Sequence, residues 1–313
     1  MTPPLKYLLA LLVLLCQFGF QIKAQGSLRV LIISNDDHNG FSLQVVLWSF
    51  PDFSTVNAIH WSNTPSASAL SGYDAVVATP HFNPLPNSTA WGDLIADFAR
   101  DGGGVTCGFA YYSTGGWPTD FGRLALPENN PFTRGSNAVR TSSLGTNLIP
   151  GHPLMTNVNT LTTYYACHIQ PNSNAVMVAV FDDGLPVAGY KDVGAGRVVG
   201  LQMHYERNPY FVNEGDFMQL YRNAVVYSVA APAPPPQILS VVPEGGSVRI
   251  HWQGKGGSNY VIQAASNLLS ANSFGDITPS ILLPGSRLVT TNHLDVGART
   301  NHSARFYRIR RAG

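Results

Sequence analysis

The chain has 313 residues, 44% of them hydrophobic and only 12% charged, with a formal net charge of +1. This length accommodates one large folded unit and one smaller one. The near-neutral balance leaves no basic face to neutralise a run of phosphates, so nucleic acid is not expected as a partner.

The first residues have the order of an export signal: Lys6 gives a positive start, residues 8–15 a short apolar core, and Ala24 a small side chain ahead of Gln25. Residues 1–24 are therefore expected to be removed, leaving a secreted or periplasmic protein. The apolar run is well short of the roughly 20 residues needed to cross a bilayer, so no membrane span is expected after cleavage. Cys16 follows Leu15, where a lipoprotein signal needs a small residue. Cys107 and Cys167 then remain, and two readings stay open for them: a disulfide in an oxidising compartment, or two thiols packed as small apolar groups.

The run Leu28-Arg-Val-Leu-Ile-Ile-Ser34 is almost continuously apolar, the pattern of a parallel strand covered on both faces. It ends in Asn35, Asp36, Asp37 and His38. Residues 41–50 are predicted as a helix with Val45, Val46 and Leu47 on its apolar stripe, closed by Pro51. Strands follow over residues 56–61 and 73–79, the second running into Pro80 and His81. Asn87 or Ser88 can cap a helix in which Trp91, Leu94, Ile95 and Phe98 fall at helical spacing, and the glycines at 102–104 stop it. Another strand is predicted at 105–109. This alternation of strands and helices implies right-handed crossovers and a parallel sheet.

Residues 111–150 are rich in Gly, Asn, Pro and Ser and are predicted as a long irregular loop. Antiparallel strands are expected at 175–181, 187–190 and 197–203, turning at Asp183-Gly184 and at residues 194–196. A last helix over 215–229 places Phe217, Leu220, Tyr221, Ala224 and Val225 on one face. The stretch 230–237 is too rich in proline for helix or inner strand and reads as a stiff linker. Beyond it, residues 248–252, 260–263 and 306–310 alternate apolar with polar side chains, as in a small β-sandwich over 238–313 whose core holds Trp252 and Tyr260.

Taken together, residues 28–37, 73–81, the helix ending at 102–104, Gly151-His-Pro-Leu154, Asp182-Asp-Gly-Leu-Pro-Val187, Gly194-Ala-Gly-Arg-Val198 and the helix carrying Asn223-Ala224 form a familiar series. It resembles the ThuA-like (trehalose utilisation) branch of the class I glutamine amidotransferase-like superfamily over residues 27–229. The tail resembles fibronectin-type-III-like modules. The resemblance implies a flavodoxin-like α/β domain acting on a carbohydrate-related small molecule. Amidotransferases of that superfamily carry a nucleophilic Cys on a glycine-flanked elbow after a strand. Here Cys107 stands two residues too early, inside its strand, and the elbow falls at residues 109–112 with no nucleophile, so glutaminase activity is not expected. His204 and Glu206 stand where the superfamily's His-x-Glu pair would be, and are the candidate catalytic pair.

Ligands of open α/β sheets gather outside the carboxyl ends of the strands. The polar and aromatic residues expected there as a substrate lining are Asp36, Asp37, His38, His81, Tyr111, Tyr112 and Trp117. Their His and Asp groups could accept a divalent cation. Their long-range spacing is no metal signature, however, so no cofactor is expected. A non-catalytic scaffold that has lost its nucleophile is the competing reading.

Overall fold

A computed structural model describes residues 28–34, 37–80, 86–114, 120–204, 213–231, 234–268, 273–285 and 287–312, without the side chains of 37–41, 109–110 and 137–140. The expected export signal lies outside the described residues. Among those described, no helix is long and apolar enough to cross a membrane.

The elements run β1 (Leu28–Ser34), α1 (Asp37–Trp48), β2 (Phe53–His60), α2 (Ala67–Leu70), β3 (Ala75–Thr79), α3 (Ser88–Arg100), β4 (Gly104–Cys107) and the short turn of helix α4 (Phe109–Tyr112). Then come β5 (Asn137–Asn147), β6 (Leu161–Cys167), β7 (Val176–Phe181), β8 (Pro186–Val193), β9 (Gly196–Leu201), β10 (Glu214–Gly215) and α5 (Phe217–Val229). One sheet orders them β10-β6-β5-β7-β8-β9-β4-β3-β1-β2. From β2 to β9 every pairing is parallel, and from β9 to β10 every pairing is antiparallel. The fold is α/β with a mixed sheet. The change of direction follows from the turns: Gly184 (φ 84°) and Gly194 (φ 59°) close tight hairpins, which can join only antiparallel neighbours.

Side chains alternate across the parallel half. Val30, Ile32, Ala75, Val77 and Val199 face α1 and α5, while Leu31, Ile33, Val76, Ala78 and Val105 face α3. Helix α1 starts four residues earlier than the sequence suggests, and it buries Leu43 and Leu47 rather than Val45, which is 49% exposed. The predicted loop 111–150 is also corrected, since it contains the eleven-residue strand β5. That strand is hard to see because its residues are mostly Ser, Thr, Asn and Gly, and it pairs through shifted registers. Strand β6 had no counterpart in the sequence reading. The buried Gln202 joins its end to the parallel half, donating from Nε2 to the Cys167 carbonyl at 2.9 Å and accepting from the Cys167 N–H. Three strands separate β6 from β9 in hydrogen-bonding order, so the antiparallel half must curl back over the parallel half.

The tail contains β11 (Gln237–Glu244), β12 (Ser247–Lys255), β13 (Asn259–Ala265), β14 (Gly275–Asp276), β15 (Ile281–Leu282), β16 (Leu288–Asp295), α6 (Ala298–Asn301) and β17 (Phe306–Arg311). Two antiparallel sheets, β11-β12-β16 and β14-β13-β15 with β17 on β13, enclose a core of Ile250, Trp252, Tyr260, Ile262 and Leu283. Trp252 meets Tyr260 edge to face at 5.3 Å, a favoured aromatic geometry. This module packs against the first domain. Leu288 donates its N–H to the Asp101 carbonyl at 2.8 Å, and the Lys255 ammonium donates to the Ala231 carbonyl at 2.7 Å, just past the end of α5.

Candidate functional site

The carboxyl edge of the parallel strands is where sequence and topology both direct attention. Strands β1 and β3 are apolar runs whose last position turns polar, at Ser34 and Thr79. The register sets Ser34 of β1 beside His60 of β2 on one side and Thr79 of β3 on the other. Ser34 and Thr79 are both buried, and the Thr79 hydroxyl has no hydrogen-bond partner among the described residues. His60 holds its Nδ1 toward Ser62, accepting the Ser62 N–H at 3.0 Å with the hydroxyl oxygen 2.6 Å away.

Gly108, directly after β4, is a close-approach position. A Cβ there would sit 2.6 Å from the Tyr221 phenol oxygen and 3.2 Å from the Thr79 methyl group. The Tyr221 hydroxyl in turn donates to the Met203 carbonyl at 2.6 Å. The chain leaving β9 is thereby pinned against the ends of β3 and β4, and His204 is the next residue. His204 is 3% exposed, and its carbonyl accepts from Asn213 Nδ2 at 3.0 Å.

The expected residues separate into three groups. Asp36, His81, Trp117 and Glu206 lie outside the described residues, and for Asp37 and His38 only the backbone is described, in the first turn of α1. His204 stands at the edge, joined through Met203 to the core on the α5 face. Tyr111 and Tyr112, expected on the rim, are fully buried in the core on the opposite face, and burial pushes both phenols well above their ordinary range. The physical reason is the α4 turn itself. Capped by Gly108, it carries the chain straight into the α3 side, where Tyr111 packs 4.6 Å from Phe121 and Tyr112 5.5 Å from Phe132.

Cys107 completes this buried corner. It is a free thiol with no solvent exposure, contacted by Asn130 Nδ2 at 3.8 Å, and burial pushes its pKa up to about 12. Asn130 is held in turn by the Tyr112 hydroxyl, which donates to its Oδ1 at 2.9 Å. Such a thiol is almost wholly protonated near neutral pH, the reverse of an activated nucleophile. Cys167 is likewise a buried thiol outside any disulfide, so of the two readings left open by the sequence the packed thiols are the ones realised. Among the described residues, no group of three His, Cys, Asp or Glu side chains is gathered to hold a metal ion.

Sequence reasoning missed Thr79, Gly108 and Tyr221 as parts of the edge. For Thr79 the available signal was the polar residue that ends its apolar run; Gly108 and Tyr221 carry no such signal.

No protein-family model matches this sequence, and no curated protein matches it. Among solved structures the chain is similar to a cytoplasmic protein from Salmonella typhimurium LT2, at 15% identity and a TM-score of 0.49, over 64% of this chain and 96% of that one. It is also similar to two ThuA-like proteins. One is from Bacteroides uniformis ATCC 8492, at 14% identity and a TM-score of 0.45, over 66% of this chain and 92% of that one. The other is from Parabacteroides merdae ATCC 43184, at 16% identity and a TM-score of 0.44, over 64% and 89% of the two chains.

Proposed function

We propose that this is an exported, ThuA-like binding protein that takes a small, hydroxyl-rich molecule of carbohydrate character at the carboxyl edge of its parallel strands. Its fibronectin-type-III-like tail serves attachment. The observation that carries the reading is the Thr79 hydroxyl, buried beside Ser34 at the strand ends without a hydrogen-bond partner among the described residues. An unsatisfied buried hydroxyl costs about 1–3 kcal/mol, and a ligand hydroxyl reaching it would remove that cost. Asp36, Asp37, His38, His81 and Trp117 follow strand ends in the sequence and are the polar and aromatic residues expected to meet the ligand. Any proton transfer on the bound molecule is assigned to His204 with Glu206. The buried Cys107 favours the reading in which the amidotransferase-like domain has kept its scaffold and lost its nucleophile.

A thermal-shift titration with neutral sugars tests this. A saturable rise in Tm is expected for the parent protein. Thr79→Val, which keeps the shape and removes the hydroxyl, is expected to raise the ligand-free Tm and abolish the sugar-dependent rise. A sugar response that survives Thr79→Val, or no response to any sugar in the parent, overturns the reading.

A further inference from the structure

At the other end of the strands, a cleft of about 790 Å³ opens between the two folded units. Arg29, Tyr73, Asp74 and Asp101 line it from the α/β side, and Gln253 and Arg287 from the β module. Its size falls within the roughly 300–1,000 Å³ of small-molecule sites. Its two arginines lack the ion pairs that hold several others, an arrangement shared among the described residues by Arg134 on Phe121 and Arg308 on Phe274. Arg197, Arg222 and Arg305 each pair with a carboxylate, namely Asp192, Asp52 and Asp295. Arg29 and Arg287 do not. The Arg29 guanidinium lies 5.6 Å from the centre of the Tyr73 ring, and the neighbouring Asp74 carboxylate accepts its backbone N–H at 2.9 Å instead. Arg287 lies 5.1 Å from the centre of the Phe98 ring and donates one N–H to the Ser71 carbonyl at 2.6 Å. Among the described residues no carboxylate forms an ion pair with either.

A guanidinium resting on an aromatic face is oriented while most of its donor fork stays open, which suits it to bidentate capture of a carboxylate. We propose that this cleft is a second binding site, independent of the carboxyl edge, for a small hydroxylated carboxylate such as a sugar acid. The ligand carboxylate sits between Arg29 and Arg287. Its hydroxyls donate to Asp74 and Asp101 and meet the Gln253 amide. The two aspartates make the site selective, because they oppose polyanions and a ligand with one carboxylate leaves them hydroxyls to accept.

The test is calorimetric titration of the full mature chain with D-glucuronate and, separately, D-glucose. Saturable glucuronate binding is expected, weakened about tenfold by Arg29→Gln, the loss of one charge-assisted fork. Arg287→Gln is expected to weaken it likewise, and Arg29→Gln, which leaves the Ser71 contact of the module intact, guards against loss through undocking alone. Thr79→Val should leave glucuronate binding unchanged, and Arg29→Gln should leave any glucose response unchanged, so the two sites fail separately. Absence of glucuronate binding, or binding untouched by both arginine substitutions, overturns the proposal.

Discussion

The two ends of the parallel strands are built from different chemistry. At the carboxyl end the described side chains are mostly uncharged hydrogen-bonding groups, the hydroxyls of Ser34 and Thr79 and the phenol of Tyr221, with the His60 ring beside them and Arg134 on the carbonyls of Tyr111 and Ser113. At the amino end they are ions. Arg197, at the start of β9 and opposite Gly104, lies 4.2 Å from the Tyr227 ring centre and 2.7 Å from Asp192, and Lys255 donates to carbonyls at the end of α5. Ions held by aromatic faces, carboxylates and backbone carbonyls fasten structure together. At the carboxyl end the fastening is by single hydrogen bonds of buried hydroxyls, as from Tyr221 to the Met203 carbonyl, and the Thr79 hydroxyl has no hydrogen-bond partner among the described residues. The amino end is thus the joint of the molecule, with a cleft within it, and the carboxyl end is the edge where the proposed ligand would be taken.

Two glycines at matching places put this contrast to the test. A Cβ on Gly104, at the amino end, would meet the Ser228 hydroxyl and lie 2.8 Å from backbone atoms of Ser228 and Val229. Backbone cannot yield without moving α5, so Gly104→Ala is expected to cost about 3 kcal/mol, read as a lower denaturation midpoint. At the carboxyl end, Gly108→Ala meets only the tip of Tyr221 and a methyl group. Displacing the phenol forfeits its bond to Met203, so about 1 kcal/mol is expected. Equal losses for the two variants would erase the distinction between joint and edge.

A smaller effect sharpens the same contrast at the boundary between the units. Lys255 is buried and donates to the Ala231 carbonyl at 2.7 Å and the Val229 carbonyl at 3.4 Å. Lys255→Met keeps the bulk and leaves those carbonyls unpaired. Somewhat under about 1 kcal/mol is expected, since removing a desolvated ammonium offsets part of the loss. Limited proteolysis should then cut near residue 231 sooner than in the parent. An unchanged cleavage rate would mean that this ammonium does not hold the linker against the module.

The parallel half was legible because it obeys one rule: a strand buried on both faces must be apolar throughout, as in the runs ending at Ser34 and Thr79. The last helix was legible for a related reason, its five inward residues falling at helical spacing. Strand β5 was not, because its partners come from β6 and β7 through irregular registers and no alternation survives. At the site, the two tyrosines expected on the rim are buried in the core. Whether Tyr111 and Tyr112 point outward or inward depends on the direction of the α4 turn, which starts at Gly108, where a Cβ would crowd Tyr221, a residue over a hundred positions away. Arg29 and Arg287 could not have been paired from sequence, since only docking of the tail brings them to one cleft.

The smallest expected effect concerns pH, and it locates acid weakness at the joint. His152 stacks on Tyr190 at 5.5 Å, places Nε2 3.2 Å from the Tyr227 hydroxyl, and accepts the Leu154 N–H at Nδ1, also at 3.2 Å. An imidazolium has no lone pair with which to accept that N–H. Burial first, and the nearby Arg197 charge second, hold the His152 pKa below its ordinary value of 6.5. The unfolded chain therefore takes up this proton more readily than the folded one. The stability due to neutral His152 is fully present above about pH 6.5 and is lost as pH falls from there through the lower folded value. A decline of less than about 1 kcal/mol between pH 7 and 5 is expected from this group, read from urea midpoints. His152→Asn keeps an acceptor for Leu154 but cannot titrate, and it should flatten that part of the slope. Amide exchange at Leu154 should quicken in acid in the parent and not in the variant. If the slopes coincide, the acid sensitivity belongs elsewhere, and the amino end is fastened by its arginine and lysine contacts without help from this ring.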